Sequence, residues 1–143
     1  MPAQTWSITT HDVSIAIQTA VEGARSRGIT ITVAVVDRGG HLLGQLWMDG
    51  CKLPSTHVAM CKAWTSAMFQ RSSGDYATGM APGGGAYALF NAFPGRLIPV
   101  GGGKPVMHEG FCIGGVGVSG GSSEQDDEIA AAAAAAIVGT TTP

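Results

Sequence analysis

An apolar run studded with glycine, followed at once by a polyalanine helix, leaves this chain few ways to fold. The stretch is Phe111–Ile137, FCIGGVGVSGGSSEQDDEIAAAAAAAI. Phe111–Val118 is too short for a solitary helix and rich in Val and Gly, which predicts a buried strand. Ser119-Gly120-Gly121 breaks it, because two glycines reach backbone angles that a Cβ disfavours. Ser122 then opens a helix, with Gln125 placed to close a capping box. Glu124, Asp126, Asp127 and Glu128 put negative charge where the helix dipole favours it. A helix faced with alanine can lie very close to a sheet, and Gly114, Gly115 and Gly117 smooth that sheet in turn. The Ser119–Gly121 turn is a candidate anion cradle, since its backbone N–H groups precede a helix N-terminus. Gly115-x-Gly117-x-x-Gly120 matches a dinucleotide fingerprint as a string. Here, however, the glycines lie inside the strand, and the chain ends soon after the helix, so close packing is the better reading.

The 143 residues suffice for one domain with a substantial core. Charged residues make up only 13% of the chain, well under the usual quarter, which suggests that some faces are buried between subunits of a homo-oligomer. A net charge of −2 with no Lys/Arg cluster gives no footprint for nucleic acid. Cys51, Cys61 and Cys112 form neither a CxxC pair nor a disulfide framework. No signal peptide and no run long enough to span a membrane is visible, so the expectation is a cytoplasmic protein.

Taken in order, Thr9 or Thr10 caps a helix running to about Arg27. Val13, Ile17, Ala20, Val21 and Ala24 form its apolar stripe, and Gly28 stops it. His11, in its first turn, reads as a surface histidine. Thr30–Val36 is a strand entering the core, Asp37-Arg38-Gly39-Gly40 a hairpin turn, and His41–Met48 the return strand. Strict alternation places Leu42, Gly44, Leu46 and Met48 on one face and His41, Leu43, Gln45 and Trp47 on the other. A second long helix runs from about Thr56 to Arg71, with His57, Cys61, Trp64 and Met68 along one side. Residues 72–85 are loop-like, 86–92 a short helix, and Arg96–Val100 and Val106–Glu109 two further strands. The order α-β-β-α-(short α)-β-β-β-α argues an antiparallel α+β domain, not a βαβ repeat.

Chemistry is sparse. There is no GxSxG, HExxH or EF-hand pattern. Lys62 sits among small neighbours that would let it point into a cleft, although a surface lysine snorkelling past Phe69 is the blander alternative. His57 and Cys61 lie one helical turn apart and could share a metal with His41 or His108, although such pairs are usually just neighbours. Histidine, cysteine and methionine would also permit non-covalent haem, but their spacing singles out no axial group.

Four ordered segments, ITVAVVDRGGHLLGQLWMDG, KAWTSAMF, GRLIPVGGGKPV and GGVGVSGGSSEQDDEIA, resemble the GlcG/HbpS-like family, which includes the C-terminal domain of PduO-type proteins. The resemblance spans about Thr9 to Val138. It implies a single α+β domain with a five-stranded antiparallel sheet flanked by helices, assembled as dimers or larger rings, and for some members haem or iron binding. The positions matching recurrent family residues are Asp37, Gly39, Gly40, Asp49, Lys62, Gly102, Gly103, Pro105, Gly117, Ser119 and Gly120. Trp47 stands where the family commonly has arginine, exchanging an anion clamp for a stacking surface.

Two functional expectations follow. The first is a small-molecule-binding accessory protein for haem or another planar ligand, with Asp37, Trp47, Lys62, Ser119, Gly120 and Gly121 around it and His41, His57 or His108 as axial candidates. The second is a cofactor-independent lyase, isomerase or tautomerase acting on a small aromatic or hydroxy/oxo acid. In it Lys62 would hold a carboxylate or carbonyl, His41 or Glu109 would move a proton, and the Ser119–Gly121 turn would stabilise negative charge.

Overall fold

The computed structural model describes residues 5–142. In chain order the elements are β1 (Thr5–Ser7), α1 (Thr10–Ser26), β2 (Thr32–Asp37), β3 (Leu42–Trp47), α2 (Ser55–Phe69), 3-10 turns at Ser73–Tyr76 and Tyr87–Asn91, β4 (Gly103–His108), β5 (Phe111–Ser119), α3 (Ser123–Ala135) and β6 (Thr140–Thr142). The central sheet has four strands in the order β3-β2-β5-β4, all antiparallel, while β1 and β6 pair in a separate ribbon.

The antiparallel α+β expectation holds, but the five-stranded sheet does not. Arg96–Val100 is no strand, because its backbone is taken up by side chains. Ile98 N–H donates to Thr65 Oγ1 (3.0 Å), the Thr65 hydroxyl donates to the Arg96 carbonyl (3.4 Å), and Ser73 Oγ donates to the Val100 carbonyl (2.5 Å). The segment is strapped to α2 and cannot join a ladder. Ribbon strands of three residues were beyond the reach of periodicity.

The expected capping box at Ser122 forms, and Thr9, one of the two candidate caps of α1, makes a second one with Asp12. Asp12 N–H donates to Thr9 Oγ1 (3.0 Å) and Thr9 N–H to Asp12 (2.9 Å); Gln125 N–H donates to Ser122 Oγ (3.1 Å) and Ser122 N–H to Gln125 (3.0 Å). Asp12 also accepts the N–H groups of Val138 and Gly139 (both 3.2 Å), tying the start of α1 to the chain after α3. Burial alone would raise its pKa, but these N–H bonds together outweigh it and hold the carboxyl below its ordinary value.

Helices cover both faces of the sheet. α1 and α3 pack on one, around Val33, Val35, Val116, Val118 and Ile129. α2 packs on the other, with Ala59, Ala63 and Ala67 against Ala34 and Val36. The second contact is very close: a Cβ on Gly117 would sit on the Ala59 carbonyl, and one on Gly115 on that of Ala63. The smooth strand is therefore matched chiefly by α2, not by the polyalanine α3 alone. Among the described residues no helix is long and apolar enough to cross a membrane.

One irregularity shapes the surface. Val35 pairs Gly44, but Val36 pairs Leu42, so Leu43 is an extra residue in a β-bulge. This overturns strict alternation in β3. Leu42 turns towards α2, while Leu43 joins Trp6, Ile8 and Ile113 on the opposite face.

Candidate functional site

A groove of about 390 Å³ lies between α2 and the β2–β3 turn, within the range usual for small-molecule sites. His57, Met60, Cys61 and Trp64 line it from the helix, Val36 and Gly39–Leu42 from the hairpin, and Gly95 and Arg96 from the strapped segment. Gly40 has φ +80°, and a Cβ there would lie within 2.8 Å of two Trp64 ring atoms, so glycine lets the turn rest on the indole. Trp64 is held in turn by Phe93 and Phe69, with ring centroids 5.2 and 6.5 Å away, and the Arg96 guanidinium lies 6.0 Å from its ring.

The turn orders its own ionisable pair. Asp37 Oδ1 accepts the N–H groups of Gly39 (2.8 Å) and His41 (3.0 Å), and the His41 ring sets Nδ1 3.1 Å from the same oxygen. Burial would raise the Asp37 pKa, but the two N–H bonds and the imidazole together bring it below its ordinary value. An ionised Asp37 fixes Nδ1 as the protonated nitrogen, which leaves the lone pair on Nε2. That ring is 80% exposed, and Nε2 has no hydrogen-bond partner among the described residues. A carboxylate behind one imidazole nitrogen is the usual support for a histidine that ligates or moves protons through the other.

At the groove floor Cys61 Sγ lies 3.3 Å from His57 Nε2 and 3.2 Å from the Gly95 carbonyl oxygen. Burial pushes the Cys61 thiol up, so it is protonated at neutral pH and is a poor nucleophile.

The sheet register separates the other candidate residues from this groove. Asp37 pairs Gly114 at one end of the sheet, whereas Trp47, Thr32 and Ser119 share a row at the other. Five residues of strand put these ends roughly 17 Å apart. Lys62 belongs to the far end and is 3% exposed; its ammonium donates to the Val118 carbonyl (2.9 Å) and to Asp126 Oδ2 (3.0 Å). Asp126 Oδ1 accepts the Gly121 N–H (2.8 Å). The Gly121 N–H of the Ser119–Gly121 turn is thus taken up by the chain's own carboxylate. Glu109 occupies the exposed tip of the β4–β5 hairpin with φ +48°, next to Gly110 with φ +81°. His108 packs on Trp6 (ring centroids 3.6 Å apart), its Nε2 buried and without a hydrogen-bond partner among the described residues, and it does not line the groove. His11 is likewise absent from the lining.

Of the candidate site residues, His41 lines the groove, with Asp37 behind it holding its ring, and the axial candidate His57 faces it from α2 beside Cys61. Met60, Gly95 and Arg96 complete it. Arg96 belonged to the chain's small ionisable set but was given no role, because its segment read as a strand in the sheet.

Comparison with known proteins fits this architecture. Residues 8–135 match the family model described as haem degrading protein HbpS-like. GlcG of Escherichia coli strain K12 is 35% identical over 106 residues, 74% of this chain and 76% of that protein. The corrinoid adenosyltransferase PduO of Salmonella typhimurium strain LT2 is 35% identical over 112 residues, 78% of this chain and 33% of PduO. The chain thus spans about one third of the length of the PduO relatives. The crystal structure of a PduOC:haem complex superposes with a TM-score of 0.87 at 33% identity, covering 96% of this chain and 99% of that one. With motif order, fold and sequence in agreement, the chain belongs to the HbpS-like family.

Proposed function

We propose that this protein binds haem, or a planar ligand of like chemistry, in the groove between α2 and the β2–β3 turn, with His41 as the donor to its metal. The observation that carries this reading is an exposed imidazole, backed by Asp37, at the mouth of a groove walled by Val36, Leu42, Met60 and Trp64. The donor set fits. His41 Nε2 is a nitrogen donor that would hold the iron, the apolar wall would suit a porphyrin face, and Arg96 at the rim would pair with a carboxylate. Bound haem would supply a redox-active iron; the chain itself orients the imidazole, excludes water from one face and neutralises the acidic edge. The haem-complexed relative supports this choice of ligand.

The test is haemin titration followed by absorbance. The expected result is a saturable, shifted Soret band, weakened at least tenfold in His41→Ala and unchanged in His108→Ala. A non-saturable response in the wild type, or an unaltered band in His41→Ala, removes the assignment.

The same dyad supports the second reading, a cofactor-independent lyase, isomerase or tautomerase. In it His41 Nε2 would take a proton from a small acid whose carboxylate pairs with Arg96. Turnover of hydroxy or oxo acids that disappears in His41→Ala without haemin present would favour it. Self-assembly belongs to either reading. β3 is an edge strand whose Leu42, Leu43, Leu46 and Trp47 are all exposed, a surface suited to a second copy. Sedimentation should show a homo-oligomer, and a monomer at micromolar concentration would exclude that role for the strand.

A further inference from the structure

The groove floor carries a second, chemically different pair of donors. His57 and Cys61 stand one turn apart on α2, and their Nε2 and Sγ atoms are 3.3 Å apart. Cys61 is 7% exposed and His57 lies at the surface above it, so the thiol is reached through the groove. Met60, the neighbouring residue on the helix, lines the same space. With bonds of about 2.3 Å to sulfur and about 2.0 Å to an imidazole nitrogen, an ion shared at this separation would subtend an angle of about 100°. A three-coordinate ion opens that angle to about 120°, so the two donors need to part by only about 0.4 Å, which the exposed histidine allows by rotating outward.

We propose that Cys61 and His57 form a site for a soft monovalent metal ion, copper(I) in particular. The number of donors selects the ion. Among the described residues no three His, Cys, Asp or Glu side chains converge on one point, so a closed four-coordinate zinc site is absent. Copper(I) is satisfied by two or three ligands and prefers thiolate, thioether and imidazole, the types that line this floor. Met60 is the candidate third ligand. Binding replaces the thiol proton: copper(I) bonds to Sγ, the proton passes to solvent, and no electron is transferred. The hydrogen bond between Cys61 and His57 is lost, and the metal takes its place between the same two atoms.

Cys51 and Cys112 supply internal controls. Cys51 packs against Ser55, and Cys112 against the Gly114 and Ala67 carbonyls, and neither lines the groove. The experiment is an anaerobic competition between the reduced full chain and a chromophoric copper(I) chelator, run without haemin so that its outcome is independent of haem binding. The expected result is withdrawal of one copper(I) per chain. Cys61→Ser and His57→Ala should each weaken uptake at least tenfold, while Cys51→Ser and Cys112→Ser remain like the wild type. X-ray absorption of the loaded protein should show sulfur and imidazole nitrogen together in the first coordination shell. The proposal fails if the wild type withdraws no copper, if Cys61→Ser competes as well as the wild type, or if Cys112→Ser loses as much as Cys61→Ser.

Discussion

Replacing Lys62 with methionine should destabilise this protein more than almost any change in the groove. The ammonium is 3% exposed, as is Asp126, 3.0 Å away, and it also satisfies the Val118 carbonyl. Methionine fills a similar volume but leaves a carboxylate without its cation and a carbonyl without its donor. Removing one partner of a buried pair costs about 3–5 kcal/mol, because the remaining charge is stranded away from water. For a domain of this size that corresponds to a fall in Tm of roughly 10–15 °C. Asp126→Asn should cost a similar amount, yet its amide oxygen can still accept the Gly121 N–H. The double variant, Lys62→Met with Asp126→Asn, carries no stranded charge and should lose clearly less than the sum of the single changes. Urea unfolding followed by tryptophan fluorescence and circular dichroism measures all four corners of this cycle. A Lys62→Met protein within about 1 kcal/mol of wild type would refute the structural role assigned to the pair. If that protein also lost ligand uptake, Lys62 would be a ligand-binding group.

Three further outcomes are expected. Asp37→Asn should weaken haemin binding about 10–100-fold while leaving the fold intact, since it removes the support behind the donor imidazole; unchanged affinity would mean that His41 needs no orienting partner. Asp12 has a depressed folded-state pKa, so its stabilising contribution is fully present above its unfolded value, near 3.8, and is lost as pH falls through the folded value. The stability difference between wild type and Asp12→Asn, measured by urea unfolding, should therefore be constant near neutrality and shrink below about pH 4; a difference independent of pH would contradict the hydrogen-bonded carboxylate. Gly117→Ala should cost at least about 3 kcal/mol, because the new methyl group meets the Ala59 backbone of α2 and not a movable side chain; a loss below 1 kcal/mol would show that α2 can lift off the strand.

Much of the scaffold was legible because it rests on local rules. Thr9 or Thr10 and the Ser122–Gln125 box advertise the helix starts, and the glycines of β5 announce a close-packed neighbour. What stayed hidden depends on contacts distant in sequence. The hydrophobic Arg96–Val100 segment has strand composition, yet the Thr65 and Ser73 hydroxyls capture its backbone. The bulge at Leu43 leaves no mark in the alternation of β3. Lys62 was recognisable as a lysine among small residues, but its partner stands sixty-four positions away, on a helix whose acidic first turn already had a local explanation. His57 and Cys61 were visible as a pair one helical turn apart, Asp37 and His41 only singly. Only the hairpin resting on Trp64 makes them neighbours.

The single-residue bulge in β3 divides the two sides of the groove in their freedom to change. The helical side is locked to β5 by glycine contacts that tolerate no added methyl group, so almost any alteration there is felt through the whole sheet. The hairpin side is set off from the regular ladder by the extra residue, and apart from Gly40, which rests on Trp64, its exposed tip is free of such close backbone contacts. New ligand preferences should therefore arise by changing Arg38, His41 and Leu42 while Gly40 and α2 stay constant. In engineering terms, the hairpin is a replaceable jaw closing on a fixed anvil.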